Sequence, residues 1–326
     1  MSATEPPQGD YPPQGERREA TRAGHHASTA TLRVGVVGIG LVGLALVERL
    51  RAAHIDVLGF DIEPARREAL VSGGGVAAAS ANDVFGSCDS VVLALTDGSQ
   101  TSAVVTEAIA VLLPGALLVD CGTGDPEQVV SLATRLAARD VRLVDAPLSG
   151  SSQQIRDGMA VMMMGGDREA CDALAPVLAA ISSRRFHLGP PGSGARAKLA
   201  TNLLLGLNRA ALAEALVFAE CLGLDLPAFL DLVRATPAYS RAVDVKGARM
   251  IDGDFSRPQS RILQHRKDVT LMLAAAQRAG QSLPLTAAHA ALLDRAIAAG
   301  EGDLDNAAII ETIRRWPVAS ADQATA

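Results

Sequence analysis

The chain has 326 residues, enough for two domains, and its 36 acidic against 30 basic residues leave a formal net charge of −6, which argues against a nucleic-acid-binding surface. Hydrophobic residues make up 48% but aromatics only 3%, so the core must be built from Ala, Leu, Val and Ile. Cys88, Cys121, Cys171 and Cys221 lie far apart without paired ligand spacing, which points to reduced, buried thiols in a cytoplasmic protein and to no metal site. The most apolar stretch, Leu203 to Leu224, carries Asn208, Arg209, Glu214 and Glu220, so no membrane span is expected. The N-terminus has no apolar signal core, and Glu5, Asp10, Glu16 and Glu19 argue against a transit peptide.

In chain order, residues 1–30 contain PPQG twice and then a polar, Arg/Glu-rich run, a composition that predicts a disordered tail. His25–His26 stands there without another ligand nearby and is read as part of that tail. Thr31 to Val37 is a β-branched apolar run and predicts a buried strand. It leads into GIGLVG, Gly38 to Gly43, then an amphipathic segment, then a second strand ending at Asp61. Strand, glycine turn, helix and acid together form a dinucleotide-binding fingerprint of Rossmann type. Gly38 permits the tight turn, Gly40 lets the backbone approach a pyrophosphate, and Gly43 lets the helix pack on the strand. Ile39, Leu41 and Val42 complete the turn, whose N–H groups face the phosphates. Asp61 is placed to accept hydrogen bonds from both adenosine ribose hydroxyls, which favours NAD over NADP. Arg66 and Arg67 follow closely and offer either a phosphate contact or a solvated helix face.

Further strands are predicted at Val91–Asp97, Gly115–Pro126, Val141–Ser151 and Met159–Gly166, most of them separated by helical patterns. The expected fold class is therefore α/β, a doubly wound, mostly parallel sheet over residues 31–192. Ligands of such sheets bind at the carboxyl ends of the strands, which singles out the loops at Leu95 to Ser99, Gly122 to Pro126 and Pro147 to Ser152. The consecutive methionines of Met159–Gly166 read as core filler. After Ser193 strand signals stop, and residues 193–318 predict an all-α domain before a flexible C-terminus at 319–326. Its first helix, from Gly194 to about Leu222, is apolar nearly all round, which suggests burial on several sides and a subunit interface.

Four polar groups fall at positions where chemistry could assemble. Thr123 and Ser149–Gly150 follow strands, Lys198 and Asn202 share one face at the start of the long helix, and Arg266–Lys267–Asp268 lies on a later one. Taken singly, each fits an ordinary role: a helix cap, a turn, a solvated lysine, a surface pair.

As a set they resemble the β-hydroxyacid dehydrogenase family, which includes 3-hydroxyisobutyrate dehydrogenase and tartronate semialdehyde reductase. GIGLVGLALVERL resembles its GxGxMGxxMAxNL, DAPLSGS its DAPVSGG, GSGARAKLATN its GxGxxxKxxxN, and KDVTLML its KDLxLA. The likeness runs from about Leu32 to Trp316. It implies hydride transfer between NAD or NADP and a small carboxylate-bearing β-hydroxy acid or its semialdehyde, with Lys198 as general acid/base. It further implies that Ser149 and Gly150 hold the substrate carboxylate, with Ser151 also at the substrate, and that Asn202 orients the substrate. Leu95, Thr96 and Thr123 would line the cofactor, and Lys267 would line the far side of the cleft near it, with Asp268 holding the helix or the lysine in place. A homodimer or homotetramer is implied as well. Val42 stands where the family has Met, Ser151 where it has Gly, and GTGDP where it has STxSP, and the last two leave the substrate open. Two alternatives share the architecture: an imine reductase or reductive aminase, whose members generally lack the lysine, and a non-catalytic nucleotide-binding protein.

Overall fold

A computed structural model describes residues 32–316; the expected tails at 1–30 and 319–326, with His25 and His26, lie outside the described residues. The first strand and helix form where the apolar run meets the glycine turn: β1 (Arg33–Val37) and α1 (Leu41–Ala52). Then follow β2 (Asp56–Phe60), α2 (Pro64–Ser72), β3 (Val76–Ala77), α3 (Ala81–Phe85), β4 (Ser90–Leu93), α4 (Gly98–Glu107), β5 (Leu117–Asp120), α5 (Pro126–Ala137) and β6 (Arg142–Asp145). These strands make one parallel sheet in the order β3-β2-β1-β4-β5-β6. The order reverses between β1 and β4, so the crevice at their carboxyl ends is the topological switch point. Both faces are covered by helices, and the strands read as near-continuous Val/Leu runs for that reason.

Two features depart from the sequence expectation. Val141–Ser151 is two strands rather than one: β6 ends at Asp145, and β7 (Leu148–Ser149) joins a second sheet after Ala146–Pro147. Proline has no N–H to continue a ladder, and the chain changes sheet at that point. The second sheet is β7-β8-β9, with β8 (Val161–Met164) antiparallel to β7 and parallel to β9 (Arg184–His187). β9 is the sequence RRFH, largely exposed, so no apolar pattern announces it. Between them lie α6 (Ser152–Arg156), α7 (Arg168–Ala173) and α8 (Ala175–Ile181). Met162, Met163 and Met164 are buried on β8, as expected of core filler.

The remainder is helical: α9 (Ser193–Cys221), α10 (Leu226–Arg234), a π-helical turn at Val243–Gly247 running into α11 (Ala248–Asp252), α12 (Ile262–Arg278), α13 (Pro284–Ala298) and α14 (Ile309–Arg314). Leu212, Ala213 and Leu216 of α9 share a core with Val269, Met272, Leu293 and Ile310. α9 packs against β6, β8 and α5 as well as α12, α13 and α14, so it joins the sheet region to the helical one. Among the described helices it is the one long and apolar enough to cross a membrane by length and composition, and its Arg209 is buried within the fold. Cys88, Cys121 and Cys171 are buried as expected; Cys221, at the end of α9, is exposed.

Candidate active site

The glycine turn sits at the switch point, and at Gly38 and Gly43 nothing larger fits. Gly38 adopts φ 90°, and a Cβ on it would lie 2.6 Å from the Ala94 carbonyl oxygen. A Cβ on Gly43 would lie 1.9 Å from the Gly38 carbonyl oxygen, so α1 lies directly against its own turn. Gly40 is different: the nearest atom to a Cβ there is Arg66 Nη1 at 4.0 Å, which leaves its backbone open to a ligand. α1 has no side-chain cap, and Leu41 and Val42 at its start are exposed. A helix N-terminus with open backbone above it fits a dinucleotide pyrophosphate.

Ile39 is part of this turn in a different way. Its side chain is buried, and its N–H donates to Asp61 Oδ2 at 2.7 Å. Asp61 also accepts from the Glu63 N–H at 2.9 Å and lies 3.3 Å from Arg66 Nη1. A carboxylate has about four acceptor positions, so three protein donors leave room for one ribose hydroxyl, and a second fits only where Arg66 swings away. Arg67 turns back to the Asp61 and Ile62 carbonyls and lies over the Phe60 ring.

The lysine end is built from three segments. Lys198 on α9 is half-buried and donates to the Leu148 carbonyl at 2.7 Å, one residue before Ser149. Asn202, one turn along α9, donates to Asp268 Oδ2 on α12 at 3.1 Å. Asp268 is buried, and its Oδ1 has no partner. Burial pushes the Lys198 ammonium below its ordinary pKa, opposed by the Asp268 charge. Burial likewise pushes Asp268 up, against the pull of Lys267, Lys198 and the Asn202 bond. Lys267 reaches from α12 to the Thr96 carbonyl after β4, at 3.0 Å. Leu95, Thr96 and Thr123 thus lie on loops at the carboxyl ends of β4 and β5. Asp125, rather than Thr123, caps α5.

Two predicted groupings are rearranged. Arg266 faces away from Lys267 and Asp268, paired with Asp294 of α13 at 2.6 Å. Ser151, expected beside the substrate, is the N-cap of α6 in a reciprocal capping box: its Oγ accepts the Gln154 N–H at 3.2 Å, and its own N–H is taken by Gln154 Oε1 at 2.8 Å. Its backbone donor is therefore already used, and Ser149 is paired with Val161 in the β7–β8 ladder. Two contacts escape sequence reading. The Leu148 carbonyl has no side-chain signature, and Arg278, at the end of α12, pairs with Asp125 at 2.7 Å. The open depressions of about 440 Å³ beside Gln277 and Pro284 and about 760 Å³ beside Ser102 and Glu127 lie elsewhere.

Residues 33–189 match the family described as the NAD binding domain of 6-phosphogluconate dehydrogenase, and residues 192–313 that described as the NAD-binding of NADP-dependent 3-hydroxyisobutyrate dehydrogenase. The L-threonate dehydrogenase of Cupriavidus necator is 31% identical over 85% of this chain and 95% of its own. The chain belongs to the β-hydroxyacid dehydrogenase family. It is an oxidoreductase that uses NAD or NADP. Among solved structures, 3-hydroxyisobutyrate dehydrogenase of Mycobacterium tuberculosis with L-serine matches with a TM-score of 0.81 and 26% identity, over 87% of this chain and 99% of its own. An imine reductase from Pseudomonas sp. matches with a TM-score of 0.58 and 23% identity over 87% and 99%, a likeness of fold alone. Relatives that match over most of this chain are named L-threonate dehydrogenase, 2-(hydroxymethyl)glutarate dehydrogenase and glyoxylate/succinic semialdehyde reductase, which supports the dehydrogenase reading over the imine-reductase alternative raised by the sequence.

Proposed function

We propose that the protein interconverts a small β-hydroxy acid and its semialdehyde, with Lys198 as the general acid/base. The observation that carries this reading is the Lys198 ammonium on the Leu148 carbonyl, one residue from Ser149 and one helical turn from Asn202. Bound NAD or NADP supplies the hydride acceptor or donor. In oxidation the Lys198 Nζ takes the hydroxyl proton, and in reduction it returns it to the carbonyl oxygen. An ordinary lysine is charged at pH 7 and cannot act as a base; burial, which lowers the Lys198 pKa, makes the neutral amine accessible. Asn202, held by Asp268, uses its carbonyl oxygen to orient the substrate hydroxyl. Ser149 Oγ and the Gly150 N–H hold the carboxylate, and Thr123 lies beside the nicotinamide. Ser151 contributes indirectly, through its cap on α6.

Asp61 favours NAD, since a 2′-phosphate would meet a carboxylate, and Arg66 is the residue that would relieve that repulsion. The division at residues 31–192 and 193–318 is taken as two domains of a cytoplasmic enzyme with a small-molecule partner and no nucleic acid or membrane. Leu204 and Phe218 of α9 and Leu222, just past its end, lie exposed and fit a homodimer or homotetramer contact. Turnover of C3–C5 hydroxy acids and semialdehydes, with NAD and NADP in parallel, tests the reading. Lys198→Ala is expected to cost roughly 10²–10⁴-fold in turnover with cofactor affinity retained. Turnover within about tenfold of the native enzyme would reject Lys198 as acid/base.

A further inference from the structure

Lys198 can act only if α9 starts at the right place and in the right rotation. α9 supplies no side-chain cap of its own: its N-cap is Gly192, in the left-handed region at φ 90°. The cap comes instead from Asp145 at the end of β6. One carboxylate oxygen accepts the Gly192 N–H and the other the Ala195 N–H, each at 2.7 Å. Asp145 is 1% exposed, and the space around it is closed on every side. A Cβ on Gly165 would lie 2.5 Å from Asp145 Oδ1, and one on Gly194 would lie 2.9 Å from Oδ2 and 2.4 Å from the Met163 carbonyl oxygen. The first turn of α9 therefore cannot slide or roll without breaking both bonds or striking β8.

The same short segment touches α9 a second time. Three residues after Asp145, the Leu148 carbonyl receives the Lys198 ammonium, and the next residue is Ser149. Ala195 and Lys198 are about 4.5 Å apart along the helix axis. The segment 145–149 thus holds both ends of one helical turn while carrying the substrate-facing serine. An ordinary helix cap comes from a neighbouring residue and places nothing; this one comes from a strand about fifty residues upstream and ties catalytic helix to substrate loop. Its neighbour across the sheet is Asp120, the register partner of Asp145 on β5, which accepts the Gly122 N–H at 2.9 Å on the loop carrying Thr123.

We propose that Asp145 is a positioning residue for Lys198, setting the rotation and axial register of α9 so that the amine meets the Leu148 carbonyl beside Ser149. This rests on the acid/base reading of Lys198 above, and the test separates the two. The chain has three lysines, Lys198, Lys246 and Lys267, so pH-dependent labelling of the amines of the full-length protein by acetic anhydride, read by mass spectrometry, reports the Lys198 pKa without any substrate. Asp145→Asn keeps shape but turns an N–H toward one of the two backbone donors, so one donor loses its acceptor.

With the first turn released, the Lys198 labelling pKa is expected to rise by at least about half a unit toward the ordinary lysine value, while that of Lys246, salt-bridged to Asp305, stays put. kcat for the best hydroxy acid is expected to fall at least about tenfold, with KM and the Kd for NADH, read by its fluorescence, within about twofold. A lower Tm with an unchanged Lys198 pKa and kcat would overturn the proposal and leave Asp145 a structural residue. Should Asp145→Asn not fold, Ala195→Pro removes one of the two N–H donors within the first helical turn, where proline is tolerated; an unshifted Lys198 pKa in that variant overturns the proposal equally. If the labelling pKa shifts but Lys198→Ala still turns over, the positioning stands and the acid/base reading falls.

Discussion

Gly206 of α9 lies tight against His265 of α12, and adding one methyl there tests how firmly the helices are locked. A Cβ at Gly206 would lie 2.5 Å from His265 Nε2 and 2.8 Å from its Cε1, and 3.4 Å from His289 Nε2. The His265 ring has little room to yield. It is 5% exposed, and its Nε2 lies 3.0 Å from His289 Nε2. Burial, then the Arg209 charge, push His265 down to about 2 and His289 to about 4, so both are neutral at pH 7 and one ring donates to the other. Forcing a methyl into such a contact costs about 1–3 kcal/mol, and parting the two rings removes a neutral hydrogen bond worth about 1 kcal/mol. Replacing glycine by alanine within a helix returns about 1 kcal/mol. Gly206→Ala is therefore expected to destabilise by about 1–3 kcal/mol, a Tm loss of several degrees at this size. Asn202 lies one turn before Gly206, and its partner Asp268 one turn after His265, so kcat should fall more than KM rises. Thermal unfolding of Gly206→Ala, His265→Ala and the double variant closes a cycle in which the double variant is better than the sum, because the vacated ring space accepts the methyl. A Gly206→Ala protein as stable as the native one, or more so, would refute the reasoning, since helix propensity alone would then decide the sign.

Three further outcomes are expected. The kcat/KM for oxidation should rise with pH to a plateau governed by an apparent pKa below the lysine reference of about 10.4, and Asp268→Asn, by removing the charge that raises Lys198, should move that limb to lower pH; a shift upward would contradict the assignment. Gly43→Ala puts a Cβ 1.9 Å from a backbone oxygen that cannot rotate away, so NADH binding measured by fluorescence should weaken by at least about tenfold, and an unchanged Kd would show that α1 can retreat without loss. Asp120 is pushed up to about 6 by burial, so the folded state holds its proton more tightly than the unfolded chain and stability falls as pH rises from about 4 to 6. Asp120→Asn keeps an oxygen for the Gly122 N–H and should raise stability at pH 8 by on the order of 1–3 kcal/mol, read as a higher Tm, with the gain vanishing near pH 4; an equal gain at both pH values would exclude titration as the cause.

The legible parts of this molecule are those whose cause lies within a few residues. The Gly38–Gly43 turn needs glycine because of contacts that the turn makes with itself and with the neighbouring strand, and the motif spells this out. Lys198 and Asn202 share a face because four residues make a helical turn. Its own neighbours in sequence mark Asp268 only as half of a surface pair, and the resemblance alone gives it a place at the site, since the bond that ties it there comes from Asn202, across 66 positions of sequence. Ser151 carries two local signals at once: the S-x-x-Q pattern of a capping box, which the structure shows, and the substrate role that its place in DAPLSGS implies. β9 was silent because its strand is held by pairing to β8 and not by apolar side chains of its own.

The electrostatics at Lys198 follow from this same division between local and distant causes. Burial favours the neutral amine and the Asp268 charge favours the ammonium; burial is the larger, so the pKa falls. Asp268 feels the reverse, for burial raises it and the two lysines lower it. The two groups are therefore linked: when Lys198 gives up its proton, Asp268 loses one of the two cations that hold it ionised, and its affinity for a proton rises. The Asn202 bond to Oδ2 and the attraction of Lys267 limit how far that rise can go, because each favours the carboxylate form. The second lysine near Asp268, tethered to the Thr96 carbonyl, thus has an electrostatic effect at the site: its charge pulls the Asp268 pKa down against burial and so favours the carboxylate form.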